Sequence, residues 1–328
     1  MATADHRDLV PRGKLRCHPA VAAWRGLAQD PPDPEHIEVL RQGKKSATYR
    51  LVGAGPGGAS IIAQRSCMAK ARIERIAYER ILPRLPVTSP RYYGSRVEDS
   101  EFVWLFLEDI GRERFAVTDP SQRALAGRWV GLMHTAATHV AAVRDLPDGG
   151  PPRYLDHLRV DLQTIRANLA NPALTLDDVA TLRRLVSDLE RLEAAWAAVE
   201  HACTGMPSTL VHGDLRRKNL YIRDGAGAPA LYVIDWETAG WGVPAADLTK
   251  IDLTTYWSAI RPSWPDVRLE DVRRLAVVGR IFLELVGIRW MSPQLAYDSA
   301  EFLSRPMSWL RVMHGRIGDA ILDLEGIA

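Results

Sequence analysis

Three oxygen-bearing side chains lie at intervals that suit phosphoryl chemistry. Leu210-Val-His-Gly-Asp-Leu-Arg-Arg-Lys-Asn-Leu-Tyr-Ile222 opens as an apolar strand that delivers Asp214 into a loop, with Asn219 five residues later. Leu231-Tyr-Val-Ile-Asp-Trp-Glu237 is a second apolar run, and it ends in Asp235. A hairpin of this kind brings the strand ends side by side. Mg2+ prefers oxygen ligands and takes one or two carboxylates, with phosphate oxygens completing its shell. Asn219 and Asp235 suit that task, which leaves Asp214 to orient a hydroxyl and accept its proton. Asp and Asn are also ordinary turn formers. The combination of H-G-D-x4-N with I-D-W-E, each behind a strand of buried type, is more specific than turn chemistry requires.

The elements that must position these loops fall in two blocks. Residues 37–52 and 59–66 are β-branched runs joined by Gly53-Ala-Gly-Pro-Gly-Gly58, which reads as a hairpin turn. The same six residues satisfy G-x-G-x-x-G letter for letter. That fingerprint binds a pyrophosphate only where a helix N-terminus follows. Ser60-Ile61-Ile62 is strand-like, so a dinucleotide-binding reading is rejected. Ala71–Ile81 has helical spacing, ended by Pro83 and Pro86. Strands follow around Arg91–Ser95 and Phe102–Leu107. The chain then becomes mostly helical, over Ser121–Ala142, 175–202, Asp271–Val286, Ser299–Met313 and Arg316–Leu324. Thr175 three residues before Asp178 resembles a capping box. The pattern predicts an α+β chain: a lead-in over 1–36, a small antiparallel-sheet lobe with one helix over 37–110, and a mainly helical lobe over 111–328.

Composition narrows the class further. The 328 residues are 47% hydrophobic and 25% charged, with 42 basic against 40 acidic side chains. A net charge of +2 is too even for a non-specific nucleic-acid binder, which needs a concentrated basic face. No apolar run approaches the roughly 18 residues of a membrane helix, and MATADHRDLVPRGK lacks a signal peptide's apolar stretch. Cys17, Cys67 and Cys203 are far apart and show no ligand spacing. These features predict a cytoplasmic protein, a monomer or homodimer, with neither nucleic acid nor membrane as partner.

His212-Gly-Asp-Leu-Arg-Arg-Lys-Asn219 together with Ile234-Asp-Trp-Glu237 resembles the signature of the aminoglycoside phosphotransferase and choline kinase-like family. The resemblance runs more weakly from about Ile37 to about Ile251. It implies a two-lobed protein-kinase-like fold, a small antiparallel-sheet N-lobe and a mainly helical C-lobe. It also implies Mg2+-dependent transfer of the γ-phosphoryl group of ATP, or GTP, to a small-molecule hydroxyl. By similarity Asp214 is at the catalytic-base position, and Asn219 and Asp235 are at the magnesium positions. His212 and Asp247 resemble the residues that brace the catalytic loop. Arg216 matches the place where protein kinases carry a Lys near the γ-phosphate, and a plain surface role for it is equally open.

On the nucleotide side, Gln42-Gly-Lys-Lys-Ser-Ala-Thr48 falls where the family has its phosphate-covering loop. Gly43 allows close backbone approach and Ser46 suits a phosphate oxygen, while Lys44 and Lys45 are either phosphate neighbours or solvated. Phe106-Leu-Glu-Asp-Ile110, with Glu108 at its centre, falls where main chain meets the base. One departure stands out. Kinase-like folds place a Lys on the third strand, paired with a helix Glu; here alignment puts Gln64 at that position. Arg65 follows it, on the opposite face by alternation. Glu79 is the better expected helix partner and Glu74 the second. Three readings stay open: a register shift turns Arg65 inward, Lys70 or a loop Lys reaches in, or the contact is missing.

The resemblance places the acceptor beside the catalytic loop and the C-terminal helices. Trp236, Glu237 and Trp241 are the expected acceptor-side residues. Carboxylates after residue 248 are spread out and balanced by Arg, which weighs against a polycationic aminoglycoside. A sugar, nucleoside, other antibiotic or related hydroxylated metabolite fits better. The alternative is a nucleotide-binding regulatory protein with weak or no kinase activity, motivated by Gln64.

Overall fold

The computed structural model describes residues 15–28, 30–43, 46–224 and 227–326. By its contacts the chain forms two units: the first runs to Phe115 and adds Lys218–Thr238, and the second takes Ala116–Arg217 and the chain from Ala239 onward. Beside the expected division after residue 110, the first unit ends at Phe115, takes in the lead-in and adds Lys218–Thr238. Lys218–Thr238 packs with the first unit because its backbone bonds the segment that leaves the sheet, Phe115 N–H to Leu220 O and Ile222 N–H to Glu113 O, each 3.1 Å.

In the first unit, β1 (His36–Gln42), β2 (Ala47–Val52), β3 (Ile61–Cys67), β4 (Tyr92–Val97) and β5 (Phe102–Glu108) form one antiparallel sheet in the order β1-β2-β3-β5-β4. Period-two alternation sorts the side chains. Ala47, Tyr49, Leu51, Ile61 and Ala63 enter the core, while Thr48, Arg50, Ile62 and Gln64 line a cleft on the other face. The cross-strand pairs Thr48–Gln64 and Arg50–Ile62 fix that register. Gly53–Gly58 is a turn with Gly57 and Gly58 at positive φ, and β3 follows it directly, as the hairpin reading requires. From Leu15 the lead-in belongs to this unit's core: α1 (Pro19–Arg25) buries Val21 and Trp24 against the sheet, and the Trp24 indole donates to Ala54 O at 2.9 Å.

Between β3 and β4, α2 (Met68–Arg75) starts three residues before the expected helix and passes into a π turn at Ile76–Ile81. Later, β7 (Leu220–Arg223) and β8 (Ala230–Val233) pair as a hairpin.

The second unit holds α3 (Pro120–Ala137), α4 (Pro151–Asn168), α5 (Leu176–Ala194), α6 (Trp196–Cys203), α7 (Leu253–Ile260), α8 (Leu269–Met291) and α9 (Ala300–Glu325). A two-stranded ribbon joins β6 (Thr209–Val211) to β9 (Gly240–Gly242). The Thr175–Asp178 capping box forms as expected. The single helix expected over 175–202 breaks at Ala195 (φ −92°, ψ 12°), which lets Trp196 stack beside Phe282 of α8. Conversely, the two helices expected at 299–313 and 316–324 are one, α9, with Pro306 inside it. Gly279 allows α8 to approach the 244–248 turn, since a Cβ there would lie 2.0 Å from Ala245 O. Among the described residues, no helix is long and apolar enough to cross a membrane.

Candidate active site

In the second unit, β6 is fully buried and leads straight into His212, Gly213 and Asp214. Gly213 takes φ +79°, a left-handed turn that glycine adopts without strain. The buried Asp247 carboxylate holds this turn, accepting the His212 N–H at 2.8 Å and the Gly213 N–H at 3.0 Å. His212 Nδ1 in turn accepts the Asp214 N–H at 3.3 Å. Asp247 and His212 thus hold the backbone of the 212–214 turn. Behind them is a layer that sequence reasoning missed. His134 of α3 reaches Asp247 through Nε2 at 3.2 Å and the Tyr256 hydroxyl of α7 through Nδ1 at 3.0 Å. Burial first, then the Asp247 charge, pushes the Tyr256 phenol well above its ordinary range.

Asp214 is 4% exposed, and Arg216 Nε lies 2.9 Å from its Oδ1 as an ion pair. The Arg216 guanidinium also donates to Leu283 O on α8. Next to Leu283, Glu284 is buried with Oε2 lacking a hydrogen-bond partner. Burial raises its pKa, and the charges of Arg216, Arg316 and Lys250 oppose the rise. Trp241 lies in β9 beneath the Arg144 guanidinium, 5.0 Å from its ring centre.

In the first unit a cleft of about 630 Å³ is lined by the even-numbered side chains of β2 and β3, the connecting segment 107–112, and Lys218, Asn219 and Asp235. The two expected metal positions thus share one cleft. Ile234 N–H donates to Asn219 O at 3.0 Å, which fixes the backbone beside both. Asp235 has φ +68°, a left-handed conformation unusual for a non-glycine residue and of the kind held at functional sites. An amide oxygen and a carboxylate are hard donors that fit Mg2+. Among the described residues, no group of three or more His, Cys, Asp or Glu could hold a metal. An ion at Asn219 and Asp235 would therefore draw its remaining oxygens from phosphate and water, which is the usual magnesium arrangement.

Gln64 faces the cleft in unshifted register, and its amide donates to Glu74 Oε2 at 3.0 Å. Glu74, not Glu79, is the helix partner. The π turn carries Glu79 outward, where it accepts from Arg75 at 3.1 Å and from the Tyr92 hydroxyl at 2.8 Å. Arg65 points away from the cleft, pairing with Glu98 and stacking 3.6 Å over the Phe102 ring. Lys70 pairs with Glu237, 2.8 and 2.9 Å from its two carboxylate oxygens. So Glu237 meets a lysine of its own unit, and Trp236 is fully buried rather than forming a pocket wall. Gly43 N–H closes its hairpin onto Ser46 O at 2.9 Å, and Arg41 and Thr48 line the cleft on either side of that tip. Lys44 and Lys45 lie outside the described residues. Glu108 lines the cleft, pairs with Arg223, and accepts the Arg91 N–H at 3.1 Å.

Sequence reasoning also missed a buried charge network in the cleft wall. Arg50, 6% exposed, grips Asp109 at 2.6 and 3.0 Å and Glu38 at 2.7 Å, and Arg112 adds a second pair to Glu38. The only signal was an Arg at a cleft-facing position of an otherwise apolar strand.

A family model for the phosphotransferase enzyme family matches residues 36–276. No curated protein sequence matches the chain. Solved structures share its fold. The GDP and kanamycin complex of APH(2")-IIia aligns with TM-score 0.60 at 13% identity, over 87% of this chain and 94% of the other. Choline kinase from Cryptosporidium parvum Iowa II gives TM-score 0.60 at 11% identity, over 89% and 90%. Macrolide 2'-phosphotransferase MphH from Brachybacterium faecium gives 0.53 at 17% identity, over 84% and 91%. The fold is the protein-kinase-like one, with a five-stranded antiparallel sheet first and helices after it.

Proposed function

The chain belongs to the phosphotransferase enzyme family, and from that premise we propose that it moves the γ-phosphoryl group of ATP, or GTP, to a hydroxyl of a small molecule with the help of Mg2+. The observation that carries this reading is the placing of Asn219 and Asp235 on one cleft, with Asp235 held at positive φ. Asn219 and Asp235 would hold magnesium, which when bound neutralises the β- and γ-phosphate oxygens. Asp214 accepts a hydrogen bond from the acceptor hydroxyl and takes its proton. The acceptor oxygen bonds to the γ-phosphorus while the bond to the leaving nucleoside diphosphate breaks. Asp247 keeps Asp214 in place by holding the two N–H groups of the turn before it. Arg216 sets one oxygen of the Asp214 carboxylate.

The acceptor on this reading is a hydroxylated molecule without strong positive charge, because Arg216, Arg316 and Lys250 offset the buried Glu284. We place the reaction in the cytoplasm, where the three free thiols Cys17, Cys67 and Cys203 suit a reducing medium. The test is Mg-dependent ATP consumption against a panel of aminoglycosides, other antibiotics, sugars, nucleosides and amino alcohols, with mass spectrometry for an added phosphate. One acceptor gaining phosphate supports the reading. Failure to bind Mg·ATP overturns it. Gln64 favours a second reading, a nucleotide-binding regulator with little turnover. A large gain in turnover for Gln64→Lys supports that alternative, and a loss refutes it.

A further inference from the structure

We infer that Lys70, in the first turn of α2, supplies to the nucleotide phosphates the positive charge that Gln64 on β3 lacks. The inference rests on the nucleotide-site reading above. In the phosphoryl-transfer template a strand lysine touches the phosphates and is steadied by a helix glutamate. Here the strand-to-helix hydrogen bond survives as Gln64 to Glu74, but its donor is a neutral amide. The neighbouring cation on β3 is not a substitute, since Arg65 is committed to Glu98 and Phe102 on the other face.

Lys70 lies one helical turn before Glu74, a spacing that puts two side chains on the same helix face. Its ammonium is held at Glu237, two residues beyond Asp235, so it stands among the same acidic groups that a phosphate chain bound at Asp235 would meet. Glu74, the acceptor of the Gln64 amide, is fully buried one turn further along the same helix. A triphosphate bound beside Asp235 and Glu237 gains from a cation there in addition to magnesium. The cations that line the cleft wall have other stations: Arg50 and Arg112 hold Glu38, Arg114 stacks over Tyr221 and donates to Lys218 O, Arg41 lies beside the β1–β2 tip, and Lys218 flanks Asn219. The Lys70 side chain is 38% exposed, which leaves its ammonium room to turn from Glu237 to a phosphate oxygen. A charge moved from the strand to the helix thus keeps its electrostatic task.

The experiment compares wild type, Lys70→Met, Gln64→Lys and the double variant by calorimetric titration with Mg·ATP and with adenosine, and by thermal melting. Loss of a charge-assisted phosphate contact should weaken Mg·ATP about 10- to 100-fold in Lys70→Met. Adenosine affinity should stay within about twofold, because the base and ribose do not reach this charge. Gln64→Lys in the Lys70→Met background should restore most of the loss, an outcome that a merely structural Lys70–Glu237 pair would not give. Unchanged Mg·ATP affinity in Lys70→Met overturns the inference, as does parallel loss of adenosine without rescue. Should Lys70→Met fail to fold, Lys70→Gln carries the same comparison. Wild type that binds no Mg·ATP overturns the nucleotide-site reading itself, a result distinct from a Lys70 that makes no difference.

Discussion

Gln64 and Glu74 face each other across 3.0 Å with the Glu74 carboxyl fully buried and one of its oxygens, Oε1, without a hydrogen-bond partner. An ammonium at position 64 would favour an ionised Glu74. The amide's hydrogen bond favours it too, but burial first, and then the charges of Asp235 and Glu237, push the same carboxyl toward its protonated form. The strand-to-helix link is therefore a hydrogen bond from a neutral amide to a carboxyl that burial biases toward its protonated form, rather than a lysine–glutamate ion pair.

Replacing Glu74 with Gln then removes little. Glu74→Gln keeps an acceptor for the Gln64 amide and matches the neutral form that burial favours, so its melting temperature at pH 7 should match or exceed wild type. Glu74→Leu leaves the buried Gln64 amide without that acceptor and should cost about 1–3 kcal/mol. Thermal melts of the two variants check this. A Glu74→Gln protein that melts as low as Glu74→Leu would show that Glu74 is ionised in the fold.

Asp214→Ala should separate chemistry from binding. General-base catalysis contributes about 10²- to 10⁴-fold, so turnover of the identified acceptor should fall by that factor. Mg·ATP affinity should hold, because Asn219 and Asp235 are untouched. Asp235→Ala should do the reverse to binding, weakening Mg·ATP. Wild-type turnover in Asp214→Ala would remove it from the role of base.

The 212–214 turn depends on a contact made far from it in sequence. Gly279 has no Cβ, and this is what permits α8 to pack on the turn that carries Asp247. A methyl group there meets backbone, which cannot move aside as a side chain would. Gly279→Ala should lower stability by about 1–3 kcal/mol through overpacking and reduce turnover with little change in nucleotide affinity. Asp247→Ala should be worse, leaving two buried N–H groups without acceptors at about 1–3 kcal/mol each. Urea denaturation paired with steady-state kinetics tests both.

The motif was legible because both of its halves follow short apolar strands, and a strand end with Asp at the turn is a local pattern. The antiparallel sheet was legible for the same reason, from β-branched runs around Gly-rich turns. What escaped was set by distant contacts. The π turn after Arg75 changes which glutamate faces β3, so helical spacing alone ranked Glu79 above Glu74. Trp236, next to Asp235, suggested a pocket wall, but it turns into the interior of the first unit. Tyr256 sits in α7, 122 residues from the His134 ring it meets. Arg50 and Asp109 are 59 residues apart, and no local feature of either announces the pair.

A pair of titrating groups on α4 gives the stability a pH dependence that single variants should expose. Burial pushes the Asp161 carboxyl up to about 7, its charge only partly steadied by the Ser292 hydroxyl and by Arg289. One turn earlier, burial and then the charges of Arg153 and Arg289 push His157 down to about 4, with Asp156 opposing weakly. Folded Asp161 keeps a proton that the unfolded chain releases near about pH 3.9. Its contribution is complete below that pH and is lost as pH rises through about 7. Folded His157 is neutral where the unfolded chain binds a proton below about pH 6.5. Its contribution is complete above that pH and is lost as pH falls through about 4. Between these limits the two slopes oppose each other. His157→Gln should therefore leave a protein that loses stability from about pH 4 to about pH 7, and Asp161→Asn one that gains it from about pH 4 to about pH 6.5. At pH 8 Asp161→Asn should be more stable than wild type, because it removes the ionised carboxylate that burial disfavours at this position. Urea midpoints at pH 4.5, 6.5 and 8 decide the matter, and parallel profiles for the two variants would count against both assignments.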